Sequence, residues 1–373
     1  MATENLRRTA LYERHVALGA RLVPFGGFAM PVQYAGVLRE HDAVRQRAGL
    51  FDLSHMGQIA LRGDVVGSWA DKLTVNHVAT LAPGGARYNL FCNERGGTHD
   101  DVIFYRESED EWLLVVNAGN ARKMWELLSA QARAGAAMEN RHGEAGLVAI
   151  QGPRSPLILG PLLAVVDRER VLALRYYACT RASVAGKKVL VARTGYTGED
   201  GFELFCAGAD APALWDALLE AGSPQGLEAC GLGARDVLRL EAGMPLYGHE
   251  LEESITPLQA GLAWAVKFDK PSFTGKAALE AQHARGGYPR IAGFALEGRA
   301  PPPRSGYRVF FEGAGTGEVR SGGPAPSLGN RSIGTALVEA PAAEPGARIA
   351  IEIRDRQWPA TVVKLPFYRR TKK

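Results

Sequence analysis

Cysteine is scarce in this sequence, and its positions suit neither a metal site nor a disulfide framework. The 373 residues include 4 cysteines. They form no C-x-x-C pair and do not stand near histidine at the spacing of a zinc site. This pattern argues against a disulfide-stapled fold and is typical of a reducing compartment. We therefore expect a cytoplasmic protein without a metal centre.

Long apolar runs and segregated charge are also absent. No uninterrupted apolar stretch reaches membrane-spanning length, and the opening MATENLRRTALYERH lacks the apolar core of a secretion signal. The net charge is +4, but lysine and arginine are scattered rather than gathered into the stripe of a nucleic-acid binder. The sequence thus predicts no membrane and no nucleic-acid partner, and its slight positive charge favours acidic partners.

Several common catalytic motifs are missing as well. The chain contains no G-x-x-x-x-G-K-[ST] loop, no H-E-x-x-H and no G-x-S-x-G. The stretch GAGTGEVR lacks the third glycine of a dinucleotide fingerprint and lies in a β-rich region. Nucleotide-driven, metallohydrolase and serine-hydrolase chemistry are therefore disfavoured.

A strand–turn–helix pattern occurs twice in the chain. Residues 112–128 read as an apolar strand, an Ala-Gly turn and a helix carrying Trp125, and residues 202–219 repeat that order with Trp215 in the matching place. A turn of glycine and acidic residues precedes each copy. The repetition predicts two similar α/β halves packed around one site; the alternative is chance recurrence of a common pattern.

Short β-rich segments dominate the chain beyond residue 284. They read RIAGFAL, YRVFF, GEVRSG, SIGTALV, ARIAIEI and QWPATVVKL, with Gly, Pro and Ser between them. Such spacing is typical of a small barrel or sandwich. Upstream, the patterns predict an amphipathic helix between Gly36 and Gly49, a half-buried strand over 51–61, and helices over 210–222 and 231–244.

Acidic residues are the strongest candidates for chemistry. Asp100 and Asp101 open the apolar strand VIFY, and at most one of them enters a given pocket because successive strand side chains face opposite ways. A turn or strand-edge pair is the alternative. Glu203 shares a strand face with Phe205, where a carboxylate needs a hydrogen-bonding or charged partner. The alternative is a solvated glutamate on an edge strand.

Two arginines lie four residues apart on the helix GARDVLRLEAGM. Arg235 and Arg239 share a helix face, where like charges repel slightly unless an anion lies between them. A bound carboxylate or Glu203 would supply that anion. Asp236 or Glu241 would supply it equally well, which would make the pair structural.

Three further residues are candidates on weaker grounds. Tyr196 lies in TGYTGEDG, a glycine-rich turn that lets a flat ring approach the backbone. His55 is either functional or a hydrogen-bonded core histidine, and Asn117 is either a ligand-binding residue or a helix cap. The tryptophans, including Trp264, are expected in the core. Together these residues predict a carboxylate-lined site for a flat, polar ligand.

Motifs spanning nearly the whole chain point to one family. In order they are LRRTALYERHVALGARLVPFGGFAMPVQY, FDLSHMG, YNLFCNERGG-x-x-DD, TGYTGEDGFEL, GLGARDVLRLEAGMPLYGHEL, TPLQAGLAWAV and LPFYR. Together they resemble the T-protein family of the glycine cleavage system, the folate-dependent aminomethyltransferases. The resemblance implies an α+β fold: a duplicated α/β folate-binding unit in residues 1–283, followed by a small C-terminal β-barrel domain in residues 284–373.

The resemblance also implies a reaction and its participants. The family transfers the aminomethyl group on the dihydrolipoyl arm of H-protein to tetrahydrofolate, which gives methylenetetrahydrofolate, ammonia and reduced H-protein. It therefore implies a glycine cleavage system enzyme with H-protein as partner, tetrahydrofolate as co-substrate and no metal. By motif position, Asp101 resembles the catalytic carboxylate near N10 of the folate, and Glu203 the residue that holds the pterin edge. Other positions resemble the folate-site lining: Met56, Tyr88, Val115, Asn117, Tyr196, Arg235, Trp264 and Arg369.

One stretch departs from the family pattern. Thr98 and His99 stand where relatives usually have two aliphatic residues, which would alter local packing or pH dependence. A folate-binding iron–sulfur assembly factor of the same fold is the alternative reading, but it carries K-G-C-x-x-G-Q-E where this chain has RTGYTGEDG without cysteine. A folate-dependent demethylase of the same fold is a third reading, and the motifs fit it less well.

Overall fold

Helices and strands alternate through the computed structural model, which describes residues 6–131 and 136–371. The helices are α1 (Tyr12–Ala17), α2 (Val37–Gln46), α3 (Asp71–Leu73), α4 (Ala121–Gln131), α5 (Ser155–Leu162), α6 (Val165–Leu172), α7 (Ala211–Gly222), α8 (Leu232–Glu241) and α9 (Lys276–Arg285). The strands are β1 (Arg21–Phe25), β2 (Phe28–Gln33), β3 (Ala48–Asp52), β4 (Gly57–Gly63), β5 (Ala86–Cys92), β6 (Thr98–Arg106), β7 (Glu111–Val116), β8 (Ala136–Asn140), β9 (Ala145–Gln151), β10 (Cys179–Val184), β11 (Lys187–Ala192), β12 (Gly201–Ala207), β13 (Leu227–Ala229), β14 (Arg290–Leu296), β15 (Arg308–Phe311), β16 (Ala314–Ala325), β17 (Arg331–Val338), β18 (Arg348–Ile353) and β19 (Arg356–Val363). None of the helices described has the length and apolar character needed to cross a membrane.

Packing divides the described chain into two compact units. The first unit contains the residues up to Ala70, Val78–Tyr88 and Val102–Asp236, and the second contains Asp71–His77, Asn89–Asp101 and the residues from Val237 onwards. Strands β5 and β6 each contribute residues to both units. The boundary predicted at residue 284 divides the chain once along the sequence, whereas the packing units combine separate segments. That boundary stays a prediction.

The predicted duplication is visible in the order of the strands. One sheet contains the order β5-β6-β7-β4 and another contains β10-β11-β12-β9. In both, the last strand in the chain returns to pair with the first, then continues through a 3₁₀ turn into a helix, α4 or α7. The sheets are extended differently, by β8 in one and by β3 and β13 in the other. Because the whole connection repeats, chance recurrence of a short pattern does not explain it.

The six β-rich segments near the C-terminus form a closed barrel. Its strand order is β14-β17-β16-β15-β18-β19, and β14 pairs with β19 to complete the ring. Alternate side chains along the strands fill the interior, including Phe294, Val309, Ile351 and Val362. The prediction of these strands is confirmed, and closure makes the domain a barrel rather than a sandwich, with no unpaired edge.

Two elements differ from the sequence prediction. The strand predicted over 51–61 is interrupted, because Asp52 Oδ1 accepts a hydrogen bond from the Ser54 N–H at 2.8 Å and turns the chain. The Met56 N–H donates to the Leu53 carbonyl at 3.0 Å and closes that turn between β3 and β4. Helix α9 was not predicted. It buries only Leu279 and so lacks an apolar stripe.

Strand β12 is buried on both faces. Phe202, Leu204 and Cys206 join an apolar core with Trp215 of α7. Glu203 points to the other face with Phe205, as the alternation of the sequence predicts. Because both faces of β12 are packed against other residues, the backbone that carries Glu203 is held in place.

A buried polar network ties α1 to β3 in the first unit. The Asp52 carboxylate accepts hydrogen bonds from Thr9 Oγ1 at 2.7 Å and His15 Nε2 at 2.9 Å, and the Tyr34 hydroxyl lies 2.9 Å from His15 Nδ1. Burial raises the pKa of Asp52, but the bonds from His15, Thr9 and Ser54 outweigh it and hold the pKa below its usual 3.8. The network therefore stabilises the folded state through an ionised carboxylate.

The Asp52→Asn variant should lower the free energy of unfolding by about 2–4 kcal/mol at neutral pH, because the buried network loses its acceptor charge. The folded-state pKa of Asp52 is depressed, so its contribution is complete above about pH 4 and is lost as the pH falls through the folded-state value. Urea unfolding of both proteins between pH 7 and pH 3 measures this. The difference in free energy of unfolding between the wild type and the variant should become smaller below about pH 4. A difference that stays constant would contradict an ionised Asp52 as the source of the stabilisation.

Candidate functional site

Glu203 is a buried carboxylate in which one oxygen accepts hydrogen bonds from the protein and the other can accept them from a ligand. It lies on β12 between β11 and β9 and is 8% exposed. The Tyr105 hydroxyl donates to Oε2 at 3.1 Å, and Thr194 Oγ1 donates to the same oxygen. Among the described residues, none donates to Oε1. Because β12 is an interior strand, the alternative of a solvated edge glutamate is wrong.

The two hydroxyls that hold Glu203 were not found from the sequence. Tyr105 is fully buried on β6, with its ring edge-to-face against Phe205 at 5.1 Å. Burial and the Glu203 charge raise the pKa of Tyr105 well above its usual value, so it stays a hydroxyl donor. One signal was present: Tyr105 follows Asp101 by four residues, which places both on the same face of β6.

Arg235 stacks on Tyr196, and no anion among the described residues pairs with it. Its guanidinium carbon lies 4.6 Å from the centroid of the Tyr196 ring, a cation–π arrangement. Within the described part of the chain, its side chain makes no hydrogen bond and no ion pair. Burial lowers the pKa of Arg235, while Tyr196 and Glu203 act in the opposite direction. A half-buried guanidinium of this kind can donate hydrogen bonds to a carbonyl or an anionic group of a ligand.

Arg239 has an acidic partner, Glu250, that the sequence did not suggest. Its Nη1 lies 3.1 Å from Glu250 Oε2, and its Nη2 donates to Ser321 Oγ at 2.8 Å. Glu241 instead accepts hydrogen bonds from Ser327. Arg239 is therefore part of a buried structural network in the second unit.

The remaining predicted residues of the first unit lie on or beside strands. Tyr88 is on β5, Val115 is buried on β7, and Asn117 follows β7 directly. Asn117 stands at the start of a 3₁₀ turn but its side chain makes no capping hydrogen bond. The helix-cap alternative for Asn117 is therefore wrong.

Met56 and His55 lie in the turn between β3 and β4. Met56 is half-buried, whereas His55 is 1% exposed. Burial lowers the pKa of His55 to about 4, so the ring is neutral at pH 7. Among the described residues, none makes a hydrogen bond to its Nδ1, so the ring is not fully hydrogen-bonded as the core-histidine alternative requires.

Asp100 and Asp101 point to opposite faces of β6. Asp100 is fully buried and Asp101 is half-buried, so Asp101 is the one a ligand can reach. Thr98 Oγ1 donates to the Ile255 carbonyl at 3.0 Å, and His99 Nδ1 lies 3.1 Å from Glu253 Oε1. The two polar residues that depart from the family pattern therefore anchor the start of the strand that carries Asp101.

A cleft of about 470 Å³ lies within the second unit. Trp264 lines it together with Leu240, Met244 and Leu365. Trp264 is 59% exposed, so the expectation of a core tryptophan is wrong here. Arg369 is exposed and follows the C-terminal segment that lines the cleft.

Metal-binding groups and reactive thiols are not seen where the chain is described. No group of His, Cys, Asp or Glu there could hold a metal ion. All four cysteines are unpaired and buried. Burial raises the pKa of Cys179 and of Cys206 to about 12, so their thiols stay protonated.

The predicted residues fall into two groups by unit. The first unit holds Met56, Tyr88, Val115, Asn117, Tyr196, Glu203 and Arg235, and the second holds Asp101, Trp264 and Arg369. Within the first group, the structure brings the Arg235 guanidinium onto Tyr196 and couples it electrostatically to Glu203. The first group by itself combines a fixed carboxylate, an aromatic ring and a guanidinium that no described residue pairs with.

Two family models match the chain in sequence. The family described as "GCVT N-terminal domain" matches residues 11–270. The family described as "Glycine cleavage T-protein C-terminal barrel domain" matches residues 290–369. The second match coincides with the closed barrel and the segment that follows it.

Individual relatives are similar over the full length. An aminomethyltransferase of Streptomyces coelicolor is 47% identical over 379 aligned residues, covering 100% of both chains. An aminomethyltransferase of Geobacillus thermodenitrificans is 46% identical over 369 residues, covering 98% of this chain and 100% of its own. The crystal structure of glycine cleavage system aminomethyltransferase T from Bartonella henselae superposes with a TM-score of 0.90 at 33% identity, covering 98% of this chain and 100% of its own.

Proposed function

The chain belongs to the glycine cleavage T-protein family, and from this premise we propose how its residues carry out aminomethyl transfer. The protein is an aminomethyltransferase of the glycine cleavage type. We propose tetrahydrofolate as the acceptor and the aminomethylated dihydrolipoyl arm of H-protein as the donor. The assembly-factor and demethylase alternatives are not favoured, because relatives that match the full length are aminomethyltransferases.

The observation that carries the proposal is the Glu203 carboxylate, in which only Oε2 accepts hydrogen bonds from the described residues. Tyr105 and Thr194 fix its Oε2, which leaves Oε1 as an acceptor in a buried site. A pterin ring presents an N–H and an amino group side by side, which a carboxylate can accept. Glu203 would therefore bind and orient the pterin edge through charge-assisted hydrogen bonds.

Arg235 and Tyr196 supply complementary features. The guanidinium has no partner anion among the described residues and would donate to a carbonyl or anionic group of the folate. The Tyr196 ring beneath it holds the guanidinium in a fixed plane. We propose Met56, Tyr88, Val115, Asn117, Trp264 and Arg369 as further folate-site residues.

Asp101 is the proposed catalytic carboxylate. In the reaction the carbon leaves sulfur and nitrogen of the aminomethyl donor and bonds to N5 and N10 of tetrahydrofolate. The two folate N–H protons end on ammonia and on the dihydrolipoyl thiol. Asp101 would accept the N10 proton and stabilise positive charge that develops on the transferred carbon. Its half-burial leaves it reachable while limiting water around it.

We propose the domain organisation that the motifs suggested. Residues 1–283 would form the aminomethyltransferase region and residues 284–373 the barrel domain. The cytoplasm is the proposed location, because buried, unpaired cysteines suit a reducing compartment. The other components of the glycine cleavage system are the proposed partners beyond H-protein.

Purified protein should release ammonia and form methylenetetrahydrofolate when mixed with aminomethylated H-protein and tetrahydrofolate. The two products should appear in equal amounts, because one carbon and one nitrogen leave each donor. Omitting tetrahydrofolate is the control and should abolish methylenetetrahydrofolate. Folate binding without any transfer from H-protein would count against this function and favour the demethylase alternative, which dimethylglycine as donor would then test.

A further inference from the structure

The loop between β11 and β12 is held from outside by one buried amide. Gln151, the last residue of β9, is 1% exposed. Its Nε2 donates to the Thr194 carbonyl at 3.1 Å, and its Oε1 accepts from Thr197 Oγ1 at 3.0 Å. Thr194 and Thr197 stand on either side of Tyr196 in the chain. A single side chain therefore fixes the loop both before and after the ring.

The loop backbone packs directly on this amide. A Cβ atom added to Gly195 would lie 2.0 Å from Gln151 Oε1, and one added to Gly201 would lie 2.5 Å from Gln151 Nε2. Both separations are shorter than a real Cβ contact. At Gly201 the Ile150 carbonyl oxygen is equally close, at 2.5 Å, so glycine is required there, whereas a side chain at Gly195 would displace the Gln151 amide. The close approach leaves the amide little freedom to rotate or shift.

Thr194 connects this amide to the Glu203 carboxylate. Gln151 holds the Thr194 carbonyl, while the hydroxyl of the same threonine donates to Glu203 Oε2. On the outer side, Arg45 Nη1 donates to the Thr197 carbonyl at 2.7 Å and to Glu199 Oε1 at 2.9 Å. Gln151 and Arg45 therefore hold the loop by hydrogen bonds from two sides. Of the two, Gln151 is the one that bonds to Thr194, the residue that donates to Glu203.

We propose that Gln151 is a positioning residue of the folate site. Its amide would set the placement of Tyr196 and, through Thr194, the orientation of the Glu203 carboxylate. An amide offers a donor for the Thr194 carbonyl and an acceptor for the Thr197 hydroxyl from one planar group. Its nitrogen and oxygen are both engaged by the loop, so its effect on the ligand is indirect. This inference rests on the proposed function.

The test compares Gln151→Glu and Gln151→Met with the wild type. A carboxylate cannot donate to the Thr194 carbonyl and a thioether can satisfy neither threonine, so the loop loses one or both bonds. We expect the Kd for tetrahydrofolate, measured by anaerobic calorimetry, and its KM to rise about tenfold, with kcat changed by less than about twofold. Hydrogen exchange in the peptide covering residues 194–200 should become faster in both variants.

Gln58 provides a matched control. It is also a buried glutamine of the first unit, on β4, and its Nε2 has no hydrogen-bond partner in the described part of the chain. Gln58→Met should leave the Kd for tetrahydrofolate and the exchange of residues 194–200 unchanged. Thr197→Val removes the hydroxyl bond to Gln151 Oε1 and the bond that the same hydroxyl accepts from the Glu199 N–H at 3.2 Å, while Gln151 keeps its bond to the Thr194 carbonyl. It is the second variant to measure if the Gln151 variants fail to fold. It should raise the same Kd by a smaller factor.

The outcomes separate this inference from the proposed function. If the wild type binds tetrahydrofolate and both Gln151 variants, folded by melting temperature, bind it equally well, the positioning role is wrong. An unchanged KM with a reduced kcat would also overturn it, because that result places the effect in chemistry. If the wild type does not bind tetrahydrofolate at all, the proposed function fails, and the role of Gln151 at a folate site fails with it.

Discussion

Asp101→Asn should fold and bind tetrahydrofolate normally but lose turnover by roughly 10²–10³-fold. The amide has the same shape as the carboxylate, yet it carries no charge and cannot take the N10 proton. The strand around it would remain in place, because Thr98 and His99 anchor its start to Ile255 and Glu253. Ground-state binding should change little, since the loss falls on the transition state.

The neighbouring residue supplies the control for this prediction. Asp100 has the same chemistry but is fully buried on the opposite face of β6. Asp100→Asn should lower the melting temperature while preserving turnover per folded molecule. Single-turnover release of ammonia from aminomethylated H-protein, together with calorimetric binding of tetrahydrofolate, measures both variants. Turnover of Asp101→Asn within tenfold of the wild type would remove Asp101 from the catalytic role.

The sequence predicts those features whose cause is local. Six short β-rich segments at close spacing were enough to predict the barrel strands, because each strand carries its own alternation. Repetition of strand, turn and helix predicted the duplicated half for the same reason. Glu203 was recognisable because a carboxylate beside Phe205 conflicts with its apolar strand.

Features that depend on distant partners could not be predicted. The hydroxyls of Tyr105 and Thr194 reach Glu203 from β6 and from the loop after β11, and no periodicity relates those positions. The same holds for Gln151, which ends an apolar strand and meets the Tyr196 loop only in the folded chain. The partner of Arg239 was missed because Glu250 lies outside the helix on which the charge pattern was read.

Local effects explain the two differences in secondary structure, the interrupted strand over 51–61 and the unpredicted helix α9. The loose apolar alternation over residues 51–61 predicts one half-buried strand, but the Asp52 side chain bonds to the Ser54 N–H and turns the chain there. Helix α9 carries one buried residue, so its stability depends on good helix formers rather than on an apolar face. Each case shows a side-chain or propensity effect that hydrophobic periodicity alone does not report.

Glu203→Gln should weaken tetrahydrofolate binding by about 2 kcal/mol, or roughly 30-fold. Tyr105 and Thr194 both donate to the Oε2 position, so the amide oxygen should occupy that position and place the NH₂ group where Oε1 now lies. A donor would then face the N–H groups of the pterin. Glu203→Ala should weaken binding in the same direction and also lower the melting temperature, because two buried hydroxyls lose their acceptor.

Calorimetric titration with tetrahydrofolate measures this effect, with Glu107→Gln as the matched control. The Glu107 side chain is only 7% exposed in the same unit, and its partner is Arg181, so its substitution should alter stability but not folate affinity. The turnover of Glu203→Gln at saturating tetrahydrofolate should stay close to that of the wild type, because the pterin contact is made equally in the ground and transition states. Tight binding by a folded Glu203→Gln variant would show that the open oxygen of this carboxylate does not meet the pterin, and the site would then have to be built around Arg235 instead.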